Sequence, residues 1–256
     1  MTAPVRVMGI VNASPDSFSG DGLSDPGRAI ERGLAMVEAG ADLVDVGGES
    51  TRPGHAPVAA DEEIRRVLPI VEGLAGAGVT VSIDTSKLEV AVAAADAGAR
   101  IVNDVWGLHR SPGIAALAAE RGLGLVLMHN QDGTAYPGDL MAAIRDALAE
   151  SVRLALAAGV PAGRVVVDPG IGFGKTAEQN LVVLRRLAEL RELGHPILVG
   201  ASRKSFLGRL FGQEMPVRAW GTAAAVTAAI LRGADIVRVH DVAEMVAVAR
   251  VAEALR

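Results

Sequence analysis

The sequence contains no cysteine, which excludes disulfide bonds, thiolate nucleophiles and cysteine-ligated metals. Aromatic residues make up only 3% of the chain although half of it is hydrophobic, so the core must be built from Ala, Val, Leu and Ile. No apolar run reaches the roughly 18 residues that a membrane span needs, because Asp, Glu or Arg interrupts each candidate. We therefore expect a water-soluble protein with an aliphatic core and no membrane partner.

The net charge and the N-terminal residues narrow the class of protein further. The formal net charge is −5, which argues against non-specific binding to nucleic acid. The first six residues lead directly into an apolar run, with no signal-peptide hydrophobic region or cleavage site. We expect a cytoplasmic protein. A pocket with local positive charge is still compatible with this composition, so an anionic small-molecule substrate is not excluded.

Eight short apolar runs, rich in Val and Ile, alternate with longer segments of helical period. The predicted strands are Val5–Asn12, Leu43–Gly48, Thr80–Thr85, Arg100–Asp104, Gly124–His129, Val165–Pro169, Ile197–Ser202 and Ile236–Asp241. The clearest helical segments are Gly27–Ala39, Ala60–Ala77, Leu88–Ala97 and Leu140–Ala158. Near-continuous apolar strands are typical of a parallel sheet that is covered on both faces.

Eight similar units can close on themselves, and 256 residues match the roughly 250 of one closed α/β barrel. The sequence therefore predicts the α/β class, with a single (β/α)₈ TIM barrel as one domain over residues 1–256. A doubly wound open sheet is the alternative. It is disfavoured because no phosphate-binding fingerprint follows the first strand. Gly40, Gly98 and Gly233 precede predicted strands, and we interpret them as turns that end helices and stabilise the fold.

Polar side chains stand at the other end of every predicted strand. They are Asn12, Asp45, Glu49, Asp84, Asn103, Asp104, His129, Asn130, Asp168, Ser202, Arg203, Lys204, Arg238, His240 and Asp241. In a closed barrel all these ends converge on one face, where barrel enzymes place their chemistry. One polar residue after a strand is commonly a helix cap, but eight in register indicate an active site at the carboxyl ends of the strands.

The types of these residues suggest a ligand. Asp84, Asn103 and Asp168 follow apolar strands, and a buried charge needs a partner. A ligand ring with several N–H groups, such as an aminopyrimidine, would supply donors; pairing with Lys204 or Arg238 is the alternative. Residues 202–205 precede a helix, where backbone N–H groups and the helix dipole favour an anion. Together these features predict a heterocycle that carries a phosphate or carboxylate.

The sequence gives little support to other catalytic mechanisms. The chain has no His-Glu-x-x-His zinc site and no Gly-x-Ser-x-Gly nucleophile elbow. Lys204 could form a Schiff base. Its position beside Arg203 and at a helix start suits the binding of a charged group better. Residues 168–175 contain three glycines without the Walker spacing. We interpret these glycines as positions where the backbone can approach a flat ligand, with Phe173 available to stack.

Ordered motifs resemble the dihydropteroate synthase family from Gly9 to about Val242. They are Pro15-Asp16-Ser17-Phe18-Ser19, residues 47–54 (GGESTRPG), Ile83-Asp84-Thr85, Val102-Asn103-Asp104, Met128-His129, residues 168–175 (DPGIGFGK), Ser202-Arg203-Lys204-Ser205 and Arg238-Val239-His240-Asp241. Three departures are visible. Ser14 stands where the family usually has Thr, Asp21 is shifted in the first loop, and residues 130–132 do not follow the family's usual continuation.

The resemblance implies a transferase of folate biosynthesis that joins 6-hydroxymethyl-7,8-dihydropterin pyrophosphate to 4-aminobenzoate and releases pyrophosphate. It implies a pterin pocket formed by Asp84, Asn103, Met128, Asp168, Lys204 and Arg238. It implies a pyrophosphate site at Asn12, Arg238 and His240, with Mg²⁺ as cofactor and Asn12 as a metal ligand. It implies an aminobenzoate site at Phe18, Thr51, Arg52, Pro53, Phe173 and Ser205. The implied catalytic residues are Arg52, Asp84, Lys204, Arg238 and His240.

The resemblance further implies a homodimer and inhibition by sulfonamides that mimic 4-aminobenzoate. Two other functions remain open. A pterin-dependent methyltransferase domain would share the barrel and much of the pterin pocket, but it would not need residues 202–205 or a pyrophosphate site. A catalytically silent paralogue would keep the pterin pocket and lack turnover. A turnover assay separates all three.

Overall fold

The computed structural model describes residues 4–13, 25–49, 57–211 and 218–256. The strands are β1 Arg6–Asn12, β2 Leu43–Gly47, β3 Val81–Asp84, β4 Ile101–Asp104, β5 Gly124–Met128, β6 Val165–Asp168, β7 Leu198–Val199 and β8 Ile236–Val239. The helices are α1 Pro26–Glu38, α2 Ala60–Gly76, α3 Leu88–Asp96, α4 Gly113–Arg121, α5 Leu140–Ala157, α6 Ala177–Arg186, α7 Ser205–Phe211, α8 Arg218–Leu231 and α9 Val242–Ala254. Within these ranges no helix is both long and apolar enough to cross a membrane.

All strand pairings are parallel, and the sheet order is β6-β5-β4-β3-β2-β1-β8-β7. The two outer strands of this order also meet. Val167 forms a parallel bridge with Ile197, and its N–H donates to the carbonyl of Pro196 over 2.9 Å. The sheet is therefore nearly closed, which confirms the predicted (β/α)₈ barrel and rules out the open sheet.

Side chains of each strand alternate between the barrel interior and the surrounding helices, as the pleat requires. On β3, Val81 and Ile83 join the large cluster packed against the helices, so Ser82 and Asp84 face inward. The lower interior is closed by an apolar layer of Met8, Leu43, Ile101, Val126, Val166, Leu198 and Ile236. Above it the interior is polar, because the inward positions nearest the carboxyl ends carry Asp45, Ser82, Asp84, Asn103, Asp168 and Arg238.

The predicted strand boundaries are correct within one or two residues except at β7. That strand was expected over Ile197–Ser202, whereas its ladder holds only Leu198 and Val199. The chain then leaves the sheet at Gly200 and Ala201. Side-chain contacts replace the ladder there, since the backbone N–H of His240 donates to Ser202 Oγ over 3.1 Å. Such contacts leave no periodic signal in the sequence.

The glycine turns before the strands occur as predicted. Gly40, Gly98 and Gly233 have φ of 102°, 109° and 100°, a region that residues with a β-carbon rarely adopt. Each follows a helix and precedes a strand at the amino-terminal end of the barrel, opposite the polar side chains. Their position agrees with a role in stability.

Candidate active site

Arg238 joins two carboxylates at the mouth of the barrel. Its Nε lies 2.6 Å from Asp45 Oδ2, and its Nη2 lies 2.7 Å from Asp84 Oδ2. Asn103 Nδ2 donates to the same Asp45 oxygen over 3.0 Å. Asp45 is fully buried, and Arg238 keeps 17% of its side chain exposed. These contacts connect β2, β3, β4 and β8 at one level of the interior.

Asp45 is a site residue that the sequence reasoning noticed at a strand end but did not select. The sequence did contain a sign of this role, because Asp45 interrupts the apolar run Leu43–Gly47. In the structure it is in register with the inward-facing Ser82. Its binding to both Asn103 and Arg238 orients two of the predicted pterin-binding residues. The contact depends on strands 193 residues apart, which a reading of single motifs does not reveal.

The Asp84 carboxyl is harder to ionise than an exposed one, although it is paired with Arg238. Burial raises the pKa of Asp84 to about 7, with Arg238 acting to lower it and the nearby Asp45 to raise it. Among the described residues, three buried oxygens lack a hydrogen-bond partner: Asp45 Oδ1, Ser82 Oγ and Asp84 Oδ1. Buried oxygens of this kind are rare in native proteins. This side of the barrel therefore offers more acceptors than its own donors satisfy.

Asp168 at the end of β6 supplies a further acceptor. Its Oδ1 accepts the backbone N–H of Gly170 over 2.7 Å. Burial raises the pKa of Asp168 to about 6, while the Gly170 N–H and the charges of Lys204, Lys175 and Arg238 act to lower it. Asp168 is 5% exposed, so a substrate N–H would reach it in a largely dehydrated site.

The glycine-rich loop after β6 lies against Lys204. Lys204 Nζ stands 3.9 Å above the centre of the Phe173 ring, a cation–π contact. Gly172 has φ of 82°, and a β-carbon there would come within 2.8 Å of Lys204 Cδ. The backbone of this loop therefore lies close to the Lys204 side chain, and the half-buried Phe173 ring stands beside the lysine cation. The predicted approach of this backbone to a flat ligand stays a prediction.

Side-chain hydrogen bonds and an ion pair join the loop after β7 to the loop after β8. Arg203 binds Asp241 through Nε at 3.1 Å and Nη2 at 2.5 Å. His240 Nδ1 lies 3.0 Å from Ser202 Oγ. Arg203 has φ of 54°, which is uncommon for a residue other than glycine and is often found at functional sites. Because of these contacts, Lys204 and His240 lie on neighbouring loops at the carboxyl-terminal rim of the barrel.

The structure brings together five of the predicted pterin-binding residues: Asp84, Asn103, Asp168, Lys204 and Arg238. Lys204 and Arg238 both lower the pKa of Asp168, and Lys204 also acts on Asp84. Met128 is paired in register with Asp168, and Asn12 and Asp84 are each paired with Gly47. Ser205 is the first residue of α7. The predicted residues outside the described ranges are Phe18, Thr51, Arg52 and Pro53.

The described residues bear on the pairing of Asp84 and on metal binding. Pairing of Asp84 with Arg238, the alternative to a purely ligand-bound carboxylate, is present. As for metal binding, no group of three or more His, Asp or Glu side chains suited to hold an ion occurs in the described parts of the chain. Asn12, at the partly exposed end of β1, contributes only an amide.

Known proteins that are similar in sequence match nearly the whole chain. The family described as "pterin binding enzyme" matches residues 8–240. The dihydropteroate synthase of Bacillus subtilis is 44% identical over 251 residues, which is 97% of this chain and 88% of that relative.

Solved structures of dihydropteroate synthases also match this chain. A dihydropteroate synthase from Clostridium difficile, determined in the presence of pteroic acid, has a TM-score of 0.93 and 46% identity and covers 98% of this chain and 97% of its own. The Xanthomonas albilineans enzyme with 4-aminobenzoic acid has a TM-score of 0.91 and 42% identity, covering 98% of this chain and 93% of its own. The chain therefore belongs to the pterin-binding enzymes and, within them, to the dihydropteroate synthase family.

Proposed function

We propose that this protein condenses 6-hydroxymethyl-7,8-dihydropterin pyrophosphate with 4-aminobenzoate, forming 7,8-dihydropteroate and pyrophosphate. One observation carries the proposal beyond family membership. Buried acceptors on β2, β3 and β6 face cations from β8 and from the loop after β7 across one mouth. A pterin presents N–H donors on one edge and a ring oxygen and nitrogen on another, so it complements both sets.

The pterin ring is held by its two edges. Asp168 accepts from the amino edge, while Lys204 donates to the carbonyl oxygen and an adjacent ring nitrogen. Asp84 and Asn103 satisfy the remaining polar atoms, and Met128 and Arg238 pack on the ring faces. Since hydrogen bonds to charged groups contribute about 1.5–3 kcal/mol each, Asp168 and Lys204 dominate the affinity.

The pyrophosphate group binds at the rim, near Asn12, Arg238 and His240. Mg²⁺ usually takes one or two protein ligands and completes its shell with substrate phosphates and water. The donor set fits that pattern, since Asn12 supplies an amide oxygen and no acidic cluster surrounds it within the described residues. Bound there, Mg²⁺ would neutralise charge that develops on the leaving group.

The aminobenzoate lies against Phe173, with its aniline nitrogen directed at the exocyclic carbon that carries the pyrophosphate. Its carboxylate meets Ser205 at the start of α7, and Lys204 above the Phe173 ring adds positive charge. Phe18, Thr51, Arg52 and Pro53 complete this part of the site in the proposal. Sulfonamides, which carry an aniline and an acidic group, compete at the same place.

The reaction needs no enzyme nucleophile. Arg238 and His240 stabilise the departing pyrophosphate, and the electron-rich pterin supports a cationic exocyclic carbon. Asp84 lies within the ion-paired group beneath the ring and stabilises that positive charge. The aniline nitrogen then attacks the carbon, forms the C–N bond and loses a proton.

The protein is further proposed to act as a homodimer. Trp220 on α8 and Val251 on α9 are 78% and 63% exposed, and the two helices pack side by side. Large exposed apolar side chains on a helix pair are suited to a protein partner. Sedimentation at increasing concentration, with Trp220→Glu as the comparison, measures this association.

A turnover assay tests the proposed reaction. Purified protein is supplied with the pterin pyrophosphate, 4-aminobenzoate and Mg²⁺, and both dihydropteroate and pyrophosphate are quantified. Equal amounts of the two products without a corrinoid support the synthase. Pterin binding without product would indicate the silent paralogue, and methyl transfer that requires a corrinoid would indicate the methyltransferase.

A further inference from the structure

Lys175 ends the glycine-rich loop after β6, and its side chain turns back into that loop. The residue is 9% exposed. Its Nζ lies 3.1 Å from His129 Nδ1 and 3.0 Å from the carbonyl oxygens of Gly170 and Phe173. A lysine ammonium has three donors and no acceptor, so each of its N–H groups has one acceptor here. The ammonium occupies the loop as a bound cation would.

The partner His129 is suited to accept from this ammonium. Burial lowers the pKa of His129 to about 3, and the adjacent Lys175 acts in the same direction. The ring is therefore neutral over the physiological range, with Nδ1 as acceptor and the proton on Nε2. Burial also lowers the pKa of Lys175 to about 7, while Asp168 acts to raise it and Lys204 to lower it. Below that pH the three-donor form prevails.

Lys175 shares the support of this loop with other contacts. Tyr136 Oη donates to the Gly174 carbonyl over 2.9 Å, and the Gly172 N–H donates to Asn180 Oδ1 over 2.6 Å. Gly170, Gly172 and Gly174 have φ of 70°, 82° and 56°, and glycine loses more conformational freedom on folding than any other residue. These three positions offer no side chain to pack. Two of the three acceptors of Lys175 are carbonyls of this loop, so the ammonium fixes it from within.

The two residues whose carbonyls Lys175 holds are also those that contact the site. The Gly170 N–H donates to Asp168 Oδ1 over 2.7 Å, and the Phe173 ring lies 3.9 Å from Lys204 Nζ. One of these contacts orients the carboxylate proposed for the pterin. The other sets the ring proposed for the aminobenzoate. A shift of the loop would disturb both.

We propose that Lys175 is a positioning residue for both substrates, acting through the backbone of Gly170 and Phe173. It touches neither substrate. The inference rests on the proposed function and deepens it by assigning a role to a loop lysine. What matters is the ammonium group, because a neutral side chain of the same length cannot donate to three acceptors.

Lys175→Met removes the ammonium and keeps most of the volume. Because misplacing substrate by about 1 Å can cost on the order of 100-fold, kcat/KM should fall roughly 10- to 100-fold, with KM for both substrates raised more than kcat is lowered. Assays at about pH 6.5, below the Lys175 pKa of about 7, keep most of the wild-type protein in the ammonium form. Wild-type KM values for both substrates in this variant would overturn the proposal.

The absence of cysteine allows a sharper test. Lys175→Cys introduces a unique thiol, which is alkylated in denaturant with 2-bromoethylamine or with 2-bromoethanol before refolding. The first adduct restores an ammonium at lysine length, and the second adds a hydroxyl of similar length without charge. Wild-type protein taken through the same steps controls for refolding.

The aminoethyl adduct should regain most of the wild-type kcat/KM, and the hydroxyethyl adduct should not. Equal recovery by both adducts would mean that volume alone matters, and no recovery by the aminoethyl adduct while wild type refolds would equally overturn the proposal. Calorimetric pterin affinity on the same samples should give the same ranking without turnover. If the wild type shows no turnover but the samples keep this order of pterin affinity, the result would count against the proposed reaction and leave the role of Lys175 supported.

Discussion

Arg238 Nη2 and Asp84 Oδ2 meet at 2.7 Å although the two residues are 154 positions apart in the chain. The same guanidinium binds Asp45 at 2.6 Å, so one cation serves two buried carboxylates. Buried ion pairs rarely add net stability, because desolvation offsets the attraction. The excess of carboxylate lies beneath the position proposed for the pterin, where positive charge develops when pyrophosphate leaves. The arrangement therefore suits catalysis better than stability.

Arg238→Met should lower the free energy of unfolding by about 3–5 kcal/mol, the usual cost of removing one partner of a buried pair. Denaturant titration measures this change. Arg250, exposed on α9, provides the matched control, and Arg250→Met should change stability by no more than about 0.5 kcal/mol. Equal effects of the two substitutions would contradict the burial and pairing described for Arg238.

Asp84 should make the protein less stable as the pH rises from about 4 to about 7. Its pKa is about 7 in the folded state and about 3.9 in an unfolded chain, so the folded state binds the proton more tightly and loses stability as that proton leaves. His129, whose pKa is lowered to about 3, acts in the opposite direction. The informative quantity is therefore the difference in unfolding free energy between wild type and Asp84→Asn across this range. A difference independent of pH would contradict the raised pKa.

Gly170→Ala should be strongly destabilising. Gly170 has φ of 70°, and an added β-carbon would lie 2.0 Å from the carbonyl oxygen of His129. The left-handed conformation alone costs about 1–3 kcal/mol for a residue with a side chain, and the backbone clash adds to it. A β-carbon at Gly163 meets nothing within 4 Å, so Gly163→Ala is the control. Thermal unfolding of the two variants compares them, and similar melting temperatures would count against the loop geometry.

Much of the site could be predicted because it follows from periodicity. Strands alternate inward and outward, so polar residues such as Asp84 and Asn103 at the ends of apolar runs had to converge once the barrel closed. Asp45 and Lys175 were missed as site residues because their roles depend on tertiary contacts. Asp45 acts through Arg238 on a distant strand, and Lys175 through loop carbonyls. The length of β7 was overestimated because side-chain contacts replace its ladder beyond Val199.

Arg52→Ala should raise KM for 4-aminobenzoate or reduce turnover while pterin affinity is retained. Arg52 is assigned to the aminobenzoate side of the site through the motif that it shares with the family. Steady-state kinetics with each substrate varied in turn, combined with calorimetry for the pterin, separates the two effects. Loss of pterin binding together with folding would show that the assignment is wrong.

The most direct measurement is a calorimetric titration of the pterin pyrophosphate into wild type, Asp168→Ala and Lys204→Ala. These two side chains stand on opposite sides of the proposed pterin, one accepting and one donating, and removing either leaves a buried ligand group without a partner. We predict saturable binding to wild type and none measurable to either variant, with both variants still folded. Wild-type affinity in either variant would contradict the proposed pterin pocket.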